Sequence, residues 1–156
     1  MKLDPVDVKI LTILQEDGRI TNLDLAKKIK RTPAPTLMRV KKLEEAGYIK
    51  RFVALVDPNK VGLPVLAFVH VILESHNRET TVEFMNAMQK LPEVLECHHI
   101  AGDEDFLVKV VAASPAEYEK FVLEKLTKVH GIEKVKTTFV LSSSKLETSL
   151  PLSLGG

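Results

Sequence analysis

Apolar residues recur at helical spacing three times within the first 46 positions. Val6, Ile10, Ile13 and Leu14 mark a first helix, which Gly18 stops. Asp4-Pro5-Val6-Asp7 supplies its cap, with a proline in the first turn and an acid at the capping-box position. Thr21-Asn22-Leu23-Asp24 repeats the capping signature and opens a short helix that turns Leu25, Ala26 and Ile29 inward. Thr32-Pro33 starts a third helix, whose expected inner stripe is Leu37, Val40, Leu43 and Ala46, ending at Gly47. Pro35 falls in its first turn, where a missing N–H costs nothing. The second and third helices are separated by a few residues, which is helix-turn-helix spacing. Tyr48 to Val56 then reads as extended, with Ile49 and Val53 facing inward, and makes the arrangement a winged one.

After the turn at Asp57-Pro58-Asn59 and the breaks at Gly62 and Pro64 the rhythm changes. Val65–Leu73 reads as a strand, residues 79–91 as a helix with Val82, Met85 and Met88 inward, and Val94–Ala101 as a second strand. Gly102-Asp103-Glu104-Asp105 turns the chain into a third strand, Phe106–Ala113. Ser114-Pro115-Ala116-Glu117 caps a helix carrying Tyr118, Phe121, Val122 and Leu126, and Ile132–Leu141 is the fourth strand. The order is β-α-β-β-α-β, the ferredoxin-like arrangement. The expected class is therefore α+β: a winged helix-turn-helix at 1–56, a linker at 57–64, a ferredoxin-like domain at 65–144 and a tail at 145–156. A polar Ser142-Ser143-Ser144 patch ends the domain, and the tail then turns apolar at Leu146, Leu150, Leu152 and Leu154, which predicts packing on a partner or on the sheet.

Composition sharpens this division. The 156 residues are 45% apolar and 28% charged, enough for cores in two small domains. A formal charge of +1 conceals a split: residues 1–60 carry net +5 and residues 61–156 net −4. Ten basic residues lie from Arg19 to Arg51, against Asp24, Glu44 and Glu45. The basic half is suited to a polyanion. Cys97 is the one cysteine and has no internal disulfide partner. The first residues alternate in charge and lack the apolar stretch of a signal peptide, and no apolar run approaches the ~20 residues a membrane span needs. A soluble, reduced, cytoplasmic setting is expected.

The third helix is the candidate reading element. With its stripe inward, Pro35, Met38, Arg39 and Lys42 face out, alongside Ala34 and Lys41. Arginine pairs bidentately with guanine, whereas methionine and the Thr36 methyl suit thymine. Lys27, Lys28, Lys30, Arg31, Thr32, Lys50 and Arg51 suit phosphate contacts, which fix register without reading sequence. A charge run on one helix is ordinarily a solvated face. The capped helices, the short turn and the clustered bases together point to double-stranded DNA. No aromatic stacking series favours RNA. A winged helix acting as a protein-interaction module is the competing assignment.

Signals for catalysis are absent from the acidic half. It has no phosphate-binding glycine loop and no metal-ligand spacing. Cys97 and His99 alternate with His98 on a strand, which fits a core cysteine between surface histidines. His70 and His130 have no visible partner, and Asp103 with Asp105 occupies a tight turn without a base nearby. No enzyme activity, metal or cofactor is expected. Helices cover one face of such a sheet. Apolar runs such as Val65–Val69 predict that a second copy covers the other, giving a dimer with two reading heads.

These residues resemble the Lrp/AsnC, or feast/famine, family of transcription regulators. Leu3-Asp4, Asp7, Ile10-Leu11, Leu14-Gln15 and Asp17-Gly18-Arg19 match the family's first helix. Pro33, Leu37, Arg39-Val40, Leu43-Glu44, Gly47 and Ile49 match its recognition helix and following strand. Gly102-Asp103, Asp105 and Leu107 match its glycine-aspartate turn, and Gly131 with Thr137 its last strand. The resemblance implies a DNA-binding domain joined to an amino-acid-sensing one, with dimers assembling into octamers of four dimers. It assigns the effector to Ala101, Gly102, Asp103, Glu104 and Asp105, with Thr137 and Ser142 approaching the same region. The chain departs from the pattern twice. Lys30-Arg31-Thr32 replaces glycine-leucine-serine before the reading helix, and Phe106 replaces a tyrosine beside the sensing turn.

The resulting expectation is a sequence-specific DNA-binding regulator that oligomerises and responds to a free amino acid. The alternative is an effector-free architectural protein that organises DNA.

Overall fold

The computed structural model describes residues 2–153 and divides them into two compact units. One holds the residues up to 55 together with the tail from 145 onward; the other holds 56–144.

The first unit is built on α1 (Pro5–Glu16), α2 (Asn22–Lys28) and α3 (Pro33–Glu45). Asp4 caps α1 through a full capping box: its carboxylate accepts from Asp7 N at 2.8 Å, and Asp7 accepts from Asp4 N at 3.1 Å. Ile10, Leu11, Leu25, Ile29 and Leu43 form the core, with Val6, Ile13, Leu14, Val40 and Ile49 packed around it. Removing these apolar surfaces from water is the main driving force for this unit.

Helix α3 sits in a different phase from the one expected. Thr36, Val40 and Leu43 face inward, while Leu37 is 43% exposed and Ala46 lies at the surface. The first turn, Pro33-Ala34-Pro35, is apolar all round and gives the phase no anchor. Thr36 settles it by donating its hydroxyl to the carbonyl of Thr32 at 2.9 Å, so it is buried without an unsatisfied donor. At the far end Gly47, at φ 75°, and Tyr48 close α3 by hydrogen bonds to Glu44 and Leu43 carbonyls, a Schellman motif. Beyond it, residues 48–56 pair with no strand among the described residues. Ile49 packs inward as expected, but Val53 is exposed.

The tail packs within the first unit. Leu152 packs against the helical core, whereas Leu146 and Leu150 remain exposed. Gln15 of α1 hydrogen-bonds to the backbone of Leu150 within this unit. Leu154 lies outside the described residues.

The second unit contains β1 (Val65–Leu73), α4 (Arg78–Gln89), β2 (Val94–His99), β3 (Phe106–Ala112), α5 (Pro115–Glu124), a 3-10 turn at Leu126–Lys128 and β4 (Ile132–Phe139). The sheet is antiparallel with strand order β2-β3-β1-β4, as the ferredoxin-like reading requires. Ala67, Val69, Val71 and Leu73 of β1 and Phe106, Val108, Val110 and Ala112 of β3 point to the helices. Phe84 and Met88 of α4 and Tyr118 and Phe121 of α5 meet them. The inward face of α4 is thus Phe84 and Met88. The expected Val82 and Met85 are exposed, since the aromatic ring at 84 takes the deeper position. Gly131, at φ 82°, precedes β4, and a Cβ there would lie 2.4 Å from Thr80 Cγ2.

The opposite sheet face is half-buried along β1, at Leu66, Phe68, His70 and Ile72. Pairing puts His98, Leu107, His70 and Lys136 in one row across it, and Glu96, Lys109, Phe68 and Thr138 in the next. It is a mixed face and not the continuous apolar one expected, with charge from Glu96 of β2, Lys109 of β3 and Lys136 of β4.

Candidate functional site

The turn between α2 and α3 sets how the reading helix is presented. Lys30 N donates to Lys27 O at 3.1 Å and Arg31 N to Ala26 O at 2.9 Å, a second Schellman motif. Its left-handed position is Lys30, at φ 56°, where glycine is the ordinary choice. Asn22 Nδ2, at the start of α2, donates to Pro33 O at 2.9 Å and ties the first turn of α3 down.

Around this turn Lys28, Lys30, Arg31 and Thr32 are exposed, as are Lys50 and Arg51 beyond α3. Lys27 is exposed too, but its ammonium is 3.2 Å from Asp24 on its own helix. Thr32 occupies the cap position of α3 without making the expected side-chain capping bond, leaving its hydroxyl free of that role. The outward face of α3 carries Ala34, Pro35, Met38, Lys41 and Lys42, with Met38 64% exposed.

Two expected base readers occupy other positions. Thr36 is 0% exposed, so its methyl cannot meet a base. Arg39 Nη1 donates to Asp4 Oδ2 and to Asp7 Oδ1, each at 2.7 Å. These bonds hold the Arg39 pKa above its usual value, with Asp4 as the larger cause. The Asp4 carboxyl is correspondingly lowered, first by the Asp7 amide and then by Arg39. Arg39 therefore ties α3 to α1. Position followed from phase: once Thr36 is inside, residue 39 lies on the flank facing α1. The sequence carried a partial sign of this in the two acids at the start of α1, Asp4 at its cap and Asp7 in its first turn.

At the other unit, the β2–β3 turn contains Ala101, Gly102, Asp103, Glu104 and Asp105. Ala101, Gly102 and Asp103 are exposed. Gly102 has φ 155° and open space where a Cβ would stand. Asp105 is built into the fold: its Oδ2 accepts from Leu73 N at 2.8 Å, its Oδ1 lies 3.0 Å from His76 Nδ1, and its own N–H donates to Val71 O. Glu104 Oε1 lies 3.6 Å from His70 Nδ1 and 3.8 Å from Lys136 Nζ, giving His70 a neighbour not apparent in the sequence. The turn thus presents Asp103 as its outward acid.

Thr137 is not brought to this turn within one chain. It pairs with Val69, so it faces the helices, and its hydroxyl is 2.5 Å from Tyr118 OH. Its neighbour Lys136, on the opposite face, is the β4 residue near Glu104. Ser142 is exposed beyond β4.

The histidines and cysteine behave as surface and core groups. His98 contacts Glu96, His99 stacks on Phe106 at 4.8 Å between ring centroids, and Cys97 packs beside the core, where burial pushes its thiol pKa up. Among the described residues no cluster of histidine, cysteine and acids has the arrangement of a metal site, and no helix is long and apolar enough to cross a membrane.

Comparison with known proteins agrees with this geometry. Residues 3–50 match the winged helix-turn-helix DNA-binding family, and residues 66–150 match the Lrp/AsnC ligand binding domain. The chain is 40% identical over 150 residues to the transcriptional regulator AzlB of Bacillus subtilis, covering 96% of each. It is 39% identical to the leucine-responsive regulatory protein of Haemophilus influenzae, covering 96% of this chain and 90% of that one. A transcriptional regulator from Neisseria meningitidis, solved as its L-Met complex, aligns with a TM-score of 0.92 at 37% identity, covering 96% of this chain and 97% of that one. The chain belongs to the Lrp/AsnC family of transcriptional regulators: DNA-binding proteins with a helix-turn-helix, for which oligomerisation is the general mode of action.

Proposed function

We propose that this chain is a sequence-specific regulator that reads double-stranded DNA with the outward face of α3 and responds to a free amino acid. Pro35, Met38 and Lys42 touch base edges, while Lys28, Lys30, Arg31, Thr32, Lys50 and Arg51 hold phosphates, joined by Lys27 where it leaves Asp24. Arg39 is withdrawn from the reading set. The observation that carries this reading is the exposed Met38 and Lys42 on a helix whose entry turn is ringed by Lys28, Lys30 and Arg31.

Two copies pair through the half-buried sheet face, and four such dimers form an octamer. The effector binds at the exposed Ala101-Gly102-Asp103 segment, with Asp103 pairing its ammonium and Glu104 lying alongside. Asp105 holds the turn in shape. Thr137 and Ser142 complete the site only if a neighbouring copy brings them to it. The protein works in the cytoplasm. The Neisseria relative was solved with L-Met, which makes methionine the first amino acid to try.

The test is thermal unfolding in the presence of each of the twenty amino acids at millimolar concentration. A ligand that binds only the folded state raises its apparent stability by mass action. A rise confined to one chemical class supports the sensor. No rise with any of them, together with uniform protection of DNA in footprinting, would replace this reading with the architectural one.

A further inference from the structure

We propose that Gln15, Leu150 and Leu152 are positioning residues for DNA reading: the C-terminal tail braces α1, and α1 holds α3. This rests on the assignment of α3 as the reading helix.

Three observations place the tail in the reading head. Gln15 Nε2 donates to Leu150 O at 3.1 Å, and Gln15 Oε1 accepts from Leu150 N at 2.7 Å, across 135 residues of sequence. One carboxamide thereby satisfies both backbone groups of a single residue, in the way a neighbouring strand would, which fixes the tail's register and not merely its proximity. Pro151 favours an extended Leu150, the conformation in which both groups are offered together. Two residues on, Leu152 packs against the cluster that contains Ile10 and Leu11 of α1 and Leu43 of α3.

The brace continues to the reading helix. Gln15 lies in the last turn of α1; Asp7 lies in its first turn and, with the cap residue Asp4, grips Arg39 of α3. Each end of α1 is therefore fixed to a different part of the chain. Base-edge hydrogen bonds fail with displacements that phosphate contacts tolerate, because phosphate attraction is not tied to one geometry. Loss of the tail is thus expected to lower sequence discrimination and leave general DNA affinity in place. The tail also runs on from β4, so it is the second covalent route between the two units.

The experiment compares the full chain with Gln15→Ala, Gln15→Glu and a chain ending at Ser144. The probes are the duplex that the full chain selects from a random-sequence pool and a poly(dI-dC) duplex. Gln15→Ala and the shortened chain should lose about fivefold or more on the selected duplex and little on poly(dI-dC). Gln15→Glu keeps the acceptor for Leu150 N–H and should fall between. Melting is followed for each, and if the shortened chain does not fold, Gln15→Ala decides. An unchanged ratio of the two affinities in folded Gln15→Ala overturns the proposal. If the full chain selects no sequence at all, the reading assignment itself fails and takes the proposal with it.

Discussion

Arg39 of α3 donates to Asp7 of α1 at 2.7 Å, and the Asp7 side chain is only 8% exposed. An outward-looking arginine on the reading helix is in this chain the link between two helices. Arg39→Ala leaves Asp7 without its charged partner and should destabilise the helical unit by about 1–3 kcal/mol, below the range for fully buried pairs because the guanidinium is partly solvated. Denaturant unfolding measures this. Asp7→Ala distinguishes the roles. If Arg39 read bases, removing a nearby acid would free it and tighten DNA binding; as a helix link, Asp7→Ala should weaken binding.

The cap residue Asp4, which Arg39 also contacts, carries a pH dependence. The Asp4 carboxyl is held below its usual value in the folded chain by the Asp7 amide and Arg39. Its contribution is present above the unfolded pKa of about 3.9 and is lost as pH falls through the lower folded value. In acid titrations below about pH 5, Asp4→Asn should show a shallower loss of stability than the parent chain. Parallel curves would remove Asp4 from the account.

Lys30 occupies a backbone conformation suited to glycine, at φ 56°. Lys30→Gly should relieve that strain and, after the added entropy of an unfolded glycine, raise stability by about 0.5–1 kcal/mol. It also removes one candidate phosphate contact, so the slope of log K against log salt should fall by about 0.9. A stabilised variant with an unchanged slope would mean Lys30 does not touch DNA.

Asp103 and Asp105 should separate in their effects. Asp105→Ala strips the Leu73 amide of its acceptor and should cost about 1–2 kcal/mol in the sheet unit. Asp103→Ala should leave stability alone and abolish the amino-acid-induced thermal shift. If Asp103→Ala retains the full shift, the ammonium is held elsewhere.

Much of the fold was legible because its signals were local. Val65–Leu73 alternates in burial as a strand, and Asp4, Thr21 and Ser114 each cap the helix that follows. What was hidden depended on contacts distant in sequence. One position of phase in α3, undetermined by Pro33-Ala34-Pro35, moved Thr36 inside and Leu37 outside, and carried Arg39 to Asp7, 32 residues away. Glu104 beside His70 needed the strand register, and Gln15 with Leu150 needed the whole chain to fold first. The exposed positions Met38 and Lys42 were legible because both phases leave them outward.

The central claim is that those two residues read bases, and selection from a random-sequence duplex pool tests it directly. The parent chain should enrich a defined sequence. Met38→Ala and Lys42→Ala should relax it at particular positions, by about 1–3 kcal/mol each, whereas Arg31→Ala should weaken binding to all sequences alike. An unaltered enriched sequence in the Met38→Ala, Lys42→Ala double variant would contradict the account and place base reading elsewhere in the chain.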